Sequence, residues 1–534
     1  KLDNTAENKE IVNQYRHLLR VSKWSREKGD ITIIRKAFDL AMESHKDMRR
    51  KSGEPYIFHP IAVARIAAEE IGLGTTSIVC ALLHDVVEDT DIKLEDIKLE
   101  FGDKVANIID GLTKISGVFD TNSPQAENFR KMLLTMADDV RVILIKLCDR
   151  LHNMRTLEHM SDKGQLKIAS ETSFIYAPLA HRLGLYTIKS ELEDLSLKYT
   201  QPALYQELKT KLNATKEQRS RFIRSFIKPI KSELDELDIT YEIKGRPKSI
   251  YSIYNKMTNK QLEFEDVYDL FAIRIIIDSD PEDEKMDCWN IYSIVTSIFK
   301  PNPERMRDWI SIPKTNGYES LHATVMGPRG QWVEVQIRTT RMDAIAEKGY
   351  AAHWKYKDNT SNQDAANSLD SWIKQIREVL DDHDSNALEF LDKFKMSLYA
   401  EEVFAFTPRG MIKKLPKGST ALDFAFDIHT EIGTKCLGAK VNGKLVPLSY
   451  VIQNGDQIEI LTSAKQKPNK DWLSFAKTTK ARTKIKQSLK DEKRVVASLG
   501  KEALSRKMRN ANFDYTTEHL NKLIIYYGVE DELE

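Results

Sequence analysis

The chain has 534 residues, with 81 Lys and Arg against 80 Asp and Glu, 12 His and 4 Cys. That length allows about three to five domains, and a composition that is 41% hydrophobic and 30% charged excludes a disordered chain. No stretch approaches the roughly 18 uninterrupted apolar residues of a membrane-spanning helix, so we expect no membrane partner. The polar amino end, Lys1 to Asn4, lacks the apolar core of a secretion signal.

The cysteines indicate the cellular compartment, and the distribution of charge bears on the kind of partner. The cysteines are far apart without metal-type spacing, which predicts reduced, mostly buried thiols and a cytoplasmic protein. The near-neutral total excludes little, because residues 465–510 alone carry 15 Lys and Arg against 4 Asp and Glu. A nucleic-acid partner for that segment stays open.

The predicted elements change character along the chain. Up to about residue 200, apolar residues recur at intervals of three and four, which predicts helices, and residues 203–238 predict charged connecting helices. From residue 239 onward, β-rich runs alternate with helical segments, which predicts an α/β domain. Residues 357–370 predict a mobile stretch and residues 371–398 a helix.

A small α+β module of short strands and turns is predicted next, and a basic helical segment follows it. The predicted segments are residues 1–195, 196–238, 239–398, 401–464 and 465–534.

The helical region contains a set of metal-ligand residues: His59, the adjacent pair His84 and Asp85 on a helix, and Asp149. Two nitrogens and two oxygens suit manganese, iron or zinc better than calcium. A divalent ion there would polarise a phosphoryl oxygen and lower the pKa of a bound water. Each residue alone is more often structural, so the joint pattern is what predicts a metal-dependent hydrolase.

Glu88 and Asp89 follow that His-Asp pair at a spacing of four residues, which places both carboxylates over the same helix face. They could orient or deprotonate the attacking water.

The segments around these residues, 49–60, 83–90 and 147–156, resemble the all-α, HD-type hydrolase domain of the RelA/SpoT family, the bifunctional (p)ppGpp synthetase/hydrolases. The resemblance implies removal of the 3′-pyrophosphate of (p)ppGpp. It implies manganese on His59, His84, Asp85 and Asp149, with Glu88 and Asp89 activating the water. The residues it implies for holding the nucleotide are Arg50, Lys51, Asn153 and Thr156.

The α/β region offers a second constellation. Residues 244–249 follow a strand and open a helix with one glycine and three cations, a favourable place for phosphate, although a solvated basic turn is the more common explanation. Glu334, Gln336 and Arg338 alternate on one strand and so face one side. Asp269, at the start of the strand 270–277, could join Glu334 in holding magnesium on a nucleoside triphosphate.

The loop 311–322 adds a cation, a glycine turn and the aromatic Tyr318, on which a purine base could stack, although Tyr318 alone is more often a half-buried loop residue. These segments resemble the family's synthetase domain, of nucleotidyltransferase-like fold. The resemblance implies transfer of the β,γ-pyrophosphate of ATP to the 3′-hydroxyl of GDP or GTP, with magnesium on Asp269 and Glu334, and Glu334 also placed as base. The residues implied for ATP and the acceptor are Arg246, Lys248, Lys256, Arg274, Lys314, Asn316, Tyr318, His322 and Gln336.

One motif leaves the acceptor preference open. Residues 305–308 match the basic form found in bifunctional members, with Arg307 where Lys is usual. The change keeps the charge but not its geometry, so GDP and GTP both stay possible.

Residues 401–464 resemble the family's TGS domain, which implies contact with deacylated tRNA on the ribosome. His429 falls where the family places a tRNA-contacting histidine, although a surface histidine beside Asp427 fits equally well. The basic segment that follows fits nucleic-acid contact or a solvated helix. Because family members usually continue into further regulatory domains and this chain begins without Met, we expect a truncated member.

We therefore expect a multidomain, bifunctional alarmone enzyme of the stringent response. Two alternatives stay open: a hydrolase whose synthetase half only binds nucleotide, and a ribosome- or tRNA-binding regulator without turnover. Because two opposed activities would consume ATP uselessly, we hypothesise that closing one site opens the other through the helices at 195–240.

Overall fold

The computed structural model describes residues 4–27, 29–116, 139–237, 239–267, 270–314, 317–349, 402–510 and Tyr526. The chain divides into two compact units, Lys1–Leu380 and Asp381–Glu534. The stretch predicted to be mobile, the helix predicted at 371–398 and the chain beyond residue 510, except Tyr526, lie outside the described residues.

The amino-terminal part of the first unit is helical, as predicted. Apolar residues at helical spacing are buried between neighbouring helices, for example Ile34, Ala37, Phe38 and Ala41 on α2. The helices are α1 (Asn4–Val21), α2 (Asp30–Ser44), α3 (Phe58–Arg65), α4 (Thr75–Leu83), α5 (Val86–Asp89), α6 (Leu94–Phe101), α7 (Asp103–Ser116), α8 (Val140–Arg155), α9 (Asp162–Glu171), α10 (Ala177–Arg182) and α11 (Tyr186–Thr200).

Two further helices lead out of this part, where connecting helices were predicted. They are α12 (Pro202–Ala214) and α13 (Lys216–Leu234). On α13, Phe222, Phe226, Ile230 and Leu234 recur every four residues and are buried against the sheet that follows.

That sheet has five strands in the order β1-β2-β5-β4-β3. Strands β2 and β5 are parallel, and the other neighbours are antiparallel. The elements are β1 (Tyr241–Pro247), α14 (Ile250–Lys260), β2 (Phe271–Ile277), α15 (Glu284–Ile298), β3 (Arg307–Asp308), β4 (Leu321–Met326), β5 (Trp332–Thr339) and α16 (Thr340–Lys348). The predicted α/β character is confirmed.

The two faces of this sheet differ in chemistry. Alternate residues of the central strands, among them Ile273, Ile275, Val335 and Ile337, pack into one apolar core with α13 and α15. Because successive side chains of a strand point to opposite faces, the remaining residues form a polar face. One row of register partners crosses the whole sheet there: Lys244, Arg274, Gln336, His322 and Arg307.

The second unit combines small sheets with helices. Strands β6 (Glu402–Phe406) and β7 (Ile412–Pro416) form a hairpin, and β8 (Cys436–Val441) lies between β10 (Ile458–Thr462) and β9 (Lys444–Val446). The helices are α17 (Ala421–Ile428), α18 (Thr430–Thr434), α19 (Trp472–Phe475) and the long basic α20 (Thr479–Asn510).

The start of the basic segment packs onto this module. Phe426 of α17 shares a core with Trp472, Ala481 and Ile485, so α20 begins as part of the module and not as a separate segment. All four cysteines are buried and unbridged, as predicted. Among the described residues, no helix has both the length and the apolar character needed to span a bilayer.

Candidate active sites

Four predicted metal ligands converge in the helical part. His59 Nε2 lies 3.3 Å from Asp149 Oδ1 and 3.5 Å from Asp85 Oδ2. His84 Nε2 lies 3.0 Å from Asp85 Oδ2 and 3.9 Å from Asp149 Oδ1. The histidine rings and Asp149 are buried, and this mixed donor set fits a divalent metal ion.

The adjacent pair His84 and Asp85 does not lie on one continuous helix, which corrects the prediction. His84 directly follows α4, and Asp85 precedes α5. Both residues keep right-handed helical dihedrals, and their side chains meet at the cluster, with His84 Nε2 3.0 Å from Asp85 Oδ2. The bond from the Asp89 N–H to the Asp85 carbonyl, at 2.8 Å, preserves the predicted spacing of one turn.

The hydrogen bond of His84 prepares this histidine for a metal. Its Nδ1 lies 2.8 Å from the Ala81 carbonyl and must donate its proton there, so Nε2 is the ring nitrogen that faces the cluster and would bind a metal ion once its own proton is displaced. Although Asp85 is near, this buried Nε2 makes no well-aligned hydrogen bond within the described part of the chain. A metal ion would satisfy that orphaned atom.

The carboxylates of the site are ionised. Burial by itself would raise the pKa of Asp149, but the Lys146 ammonium 3.0 Å away and the neighbouring imidazoles hold it well below its usual range. Burial opposes ionisation of Asp85 as well, yet His84 and His59 keep its pKa well below the usual value. Burial likewise opposes the charge on His84, and the Asp85 carboxylate still raises its pKa to about 9. The site is therefore built for positive charge.

The predicted nucleotide-binding residues also meet. Arg50 Nη2 donates to Asn153 Oδ1 and to Thr156 Oγ1, each at 3.0 Å. Asn153 in turn donates to Asp149 Oδ1 at 2.6 Å, so the nucleotide-binding group touches the metal ligands. Lys51 is exposed at the adjoining turn.

Glu88 and Asp89 are both exposed on α5. Burial and the Asp85 carboxylate raise the pKa of the Tyr56 hydroxyl above its usual value, and Asp89 adds a smaller contribution in the same direction. Asp89 therefore lies near the Tyr56 hydroxyl. This places Asp89 at the rim of the cluster.

Two residues of this site were missed by the sequence analysis. The Tyr56 hydroxyl donates to Asp85 Oδ2 at 2.7 Å, and its ring stacks on His45 with centroids 4.8 Å apart. His152 Nδ1 lies 2.8 Å from His59 Nδ1. Burial lowers the pKa of His152 to about 3, and the neighbouring His59 and Arg50 act in the same direction. Tyr56 and His152 lie inside the segments 49–60 and 147–156, which resemble the family. Their contacts, however, join residues 29 and 93 positions apart, which no local sequence pattern encodes.

On the polar face of the sheet, a second network surrounds Glu334. Gln336 donates to Glu334 at 2.8 Å, and His322 Nδ1 lies 3.5 Å and Lys248 Nζ 3.6 Å from its carboxylate. The Tyr318 hydroxyl lies 2.8 Å from His322 Nε2, and Lys314 Nζ lies 5.3 Å from the centre of the Tyr318 ring. Burial, opposed by Glu334, lowers the pKa of His322 to about 4, so this ring is neutral near pH 7.

A buried arginine pair adjoins this network. Arg274 Nη1 lies 2.9 Å from Glu347, and Arg338 binds Asp343 and Glu347 of the same helix, α16. Nε and Nη2 of Arg274 make no hydrogen bond within the described ranges although the side chain is buried. Two guanidinium nitrogens of Arg274, with three N–H donors between them, therefore remain for a ligand.

The predicted phosphate turn at 244–249 is only partly right. Strand β1 continues through Gly245 and Arg246 to Pro247, so Arg246 belongs to the sheet. The first N–H groups of α14 are taken by Asp194, whose carboxylate accepts from Ile250 at 3.3 Å and Tyr251 at 2.8 Å. This carboxylate occupies the place that an anion would take at a helix amino end.

The remaining predicted residues are placed as follows. Asp269 and Asn316 lie outside the described residues, and Lys256 is half-buried on α14. His429 is exposed, and its Nδ1 accepts the Glu431 N–H at 3.2 Å as the cap of α18, while Asp427 pairs with Lys413 and not with His429.

Family models match three parts of the chain. They are the HD domain over residues 37–186, the region found in RelA / SpoT proteins over 245–361 and the TGS domain over 403–462. Fold and site residues thus define a multidomain enzyme with a helical HD-type domain, a synthetase-type α/β domain and a TGS domain, and the predicted fold classes are confirmed.

Curated relatives agree. The GTP pyrophosphokinase of Myxococcus xanthus is 44% identical over 94% of this chain and 67% of its own length. The guanosine-3′,5′-bis(diphosphate) 3′-pyrophosphohydrolase of Aquifex aeolicus is 43% identical over 94% of this chain and 71% of its own. The bifunctional (p)ppGpp synthase/hydrolase SpoT of Escherichia coli K12 is 42% identical over 89% of this chain and 67% of its own length. The chain belongs to the RelA/SpoT family.

Proposed function

We propose that this chain both makes and degrades (p)ppGpp and so regulates the stringent response. The observation that carries the proposal is the presence, in one unit, of two separate sets of site residues: the His-Asp cluster among the helices and the Glu334 network on the sheet. Family membership points to the same pair of activities.

Hydrolysis of the 3′-pyrophosphate is assigned to the helical site, with manganese on His59, His84, Asp85 and Asp149. When bound, the ion supplies Lewis acidity and lowers the pKa of a water. Arg50, held by Asn153 and Thr156, binds phosphate oxygens together with Lys51. Glu88 and Asp89 at the rim take up the proton of the attacking water.

Synthesis is assigned to the sheet, with magnesium on Asp269 and Glu334. Glu334 removes the proton of the acceptor 3′-hydroxyl, whose oxygen forms a bond to the β-phosphorus of ATP while the bond to the α-phosphate oxygen breaks and AMP leaves. Neutral His322 and Gln336 orient this carboxylate. The cations proposed to clamp ATP are Arg246, Lys248, Lys256 and Arg274, and Lys314, Asn316 and Tyr318 complete the acceptor site.

The remaining assignments concern partners and boundaries. We place the hydrolase in residues 1–195, connecting helices in 196–238, the synthetase in 239–398, the TGS domain in 401–464 and the basic segment in 465–534. Deacylated tRNA and the ribosome are proposed partners of the second unit, on the support of exposed His429 and the cationic α20.

Paired isosteric variants test the two activities in one chain. The purified protein is incubated with ATP and GDP, and separately with ppGpp and Mn²⁺. We expect Asp85→Asn to abolish hydrolysis and leave synthesis intact, and Glu334→Gln to do the reverse, so each variant shows that the other is folded.

Other outcomes would favour the alternatives. Hydrolysis without synthesis in the unaltered protein would indicate a hydrolase with a nucleotide-binding half. Salt-dependent tRNA binding without either reaction would indicate a regulator without turnover.

A further inference from the structure

The two ring nitrogens of His59 face different partners. Its Nε2 points into the metal cluster, 3.3 Å from Asp149 and 3.5 Å from Asp85. Its Nδ1, on the other side of the ring, lies 2.8 Å from Nδ1 of His152. His59 therefore has one nitrogen for the ion and one for another side chain.

Proton accounting fixes the direction of this histidine–histidine hydrogen bond. A metal ion binds only a nitrogen that carries a lone pair, so His59 must be protonated at Nδ1 when Nε2 is the ligand. The proton on Nδ1 is then donated to His152, whose Nδ1 must be the acceptor. His152 is accordingly the neutral tautomer with its own proton on Nε2.

One turn of α8 places His152 beside His59. Asp149 and His152 both lie on α8, three residues apart, and therefore share one face. The Asp149 carboxylate reaches Nε2 of His59 from one side and the His152 ring, with centroids 4.9 Å apart, reaches Nδ1 from the other. Because the contacting nitrogen of His152 faces His59 Nδ1, this contact supports His59 and adds no ligand to the cluster.

We infer that His152 is a positioning residue of the hydrolase site: it accepts the Nδ1 proton of His59 and thereby fixes the tautomer and ring orientation in which His59 binds the divalent metal. The inference rests on the proposed metal-dependent function. Outer hydrogen-bond partners of this type commonly change metal affinity by about 10- to 100-fold when they are removed.

Manganese binding to the metal-free protein, followed by electron paramagnetic resonance, tests this role without reference to turnover. His152→Leu removes the acceptor, whereas His152→Asn keeps an oxygen close to the position of Nδ1. The matched control is His159→Leu, at an exposed histidine just beyond the same helix. We expect the dissociation constant for Mn²⁺ to rise by about 10- to 100-fold in His152→Leu, and to stay within about threefold of the unaltered value in His152→Asn and His159→Leu.

The controls separate folding, the inference and the proposed function. The melting temperature of the metal-free variants and their synthesis of (p)ppGpp report whether His152→Leu is folded. Unchanged Mn²⁺ affinity in folded His152→Leu, or equal loss in both His152 variants, would overturn the positioning role. Absence of Mn²⁺ binding by the unaltered protein would instead overturn the proposed metal site.

Discussion

Arg50, which we propose binds the substrate, is oriented by residues far away in the chain. Its guanidinium donates to Asn153 and Thr156, so its orientation is set within the protein before a nucleotide arrives. Holding a long cationic side chain in place reduces the rotamer entropy that binding must otherwise remove. The geometry of Arg50, as well as its charge, should therefore contribute to affinity.

We expect Arg50→Lys to raise the KM for ppGpp hydrolysis by about 10-fold, because the ammonium keeps the charge but cannot reproduce the paired donors of guanidinium. Synthesis should be unchanged, since Arg50 is not part of the Glu334 network. Steady-state kinetics of both reactions provide the measurement. Arg49→Lys is the matched control, because Arg49 makes an exposed ion pair with Glu7. A rise in KM of equal size in both variants would contradict this assignment.

The sequence predicted the residues that converge in the cluster better than the residues that support them. The convergence of His59, His84, Asp85 and Asp149 could be predicted because metal chemistry restricts which residue types serve as ligands. Tyr56 and His152 could not be assigned roles, since tyrosine and histidine occur in many environments and only tertiary contact gives these two their partners.

At the scale of single elements, the sequence identified most helices and strands but not what lies at their ends. The alternation at 333–338 correctly separated the polar and apolar faces of β5. The amino end of α14 was expected to bind phosphate. Its N-cap is the local Ser249, but its first two N–H groups donate to Asp194, which lies 56 and 57 residues earlier than Ile250 and Tyr251. Local composition could predict Ser249 as the N-cap, but not an additional acceptor supplied from another helix.

In the second unit, Asp423 joins two helices. It forms a capping box with Thr420 at the start of α17. The same carboxylate accepts from the N–H groups of Lys477 and Thr478, at 2.8 to 3.1 Å, directly before α20 begins. Asp423 is completely buried, and so are its hydrogen bonds from the N–H and hydroxyl of Thr420, so its removal would leave buried donors without their acceptor.

We expect Asp423→Ala to lower the free energy of unfolding of the second unit by about 3 kcal/mol or more, because several buried donors lose their acceptor together. Asp423→Asn, which retains one acceptor oxygen, should cost less. Urea denaturation monitored by the fluorescence of Trp472, in a chain with its other tryptophans replaced, gives the measurement. The control is Asp427→Ala, at a half-buried carboxylate paired with Lys413. Equal losses for Asp423→Ala and Asp427→Ala would refute the special role of Asp423.

At the scale of the whole first unit, α11 contacts both proposed sites. Glu191 binds Arg155 at 2.6 Å, beside Thr156 of the hydrolase site. Thr187 donates to Glu347 at 2.7 Å, and Glu347 holds the arginine pair of the synthetase site. These contacts lie before residue 195, earlier than the helices at 195–240 to which the sequence analysis assigned the coupling. The element that contacts both proposed sites is therefore α11 itself, which precedes most of the helices predicted to couple them.

The first residue of α11 suggests how the two activities are balanced. The Tyr186 ring stands edge-on to Tyr318, with centroids 5.6 Å apart, and Tyr318 is the proposed platform for guanine. A helix anchored on the hydrolase side thus holds an aromatic ring against the acceptor site. A ligand that moves Arg155 would move this ring as well, which links the two sites through one rigid element.

We expect Tyr186→Ala to raise the ratio of synthesis to hydrolysis by about fivefold or more, the lower end of typical coupling between sites. The physical reason is that the variant removes the ring beside Tyr318, while every proposed hydrolase residue remains. Initial rates of both reactions and the KM for GDP provide the measurement, and the KM should fall. Tyr199→Ala, on the same helix but away from Tyr318, is the matched control. An unchanged ratio in Tyr186→Ala, or the same change in Tyr199→Ala, would show that α11 does not transmit the state of one site to the other.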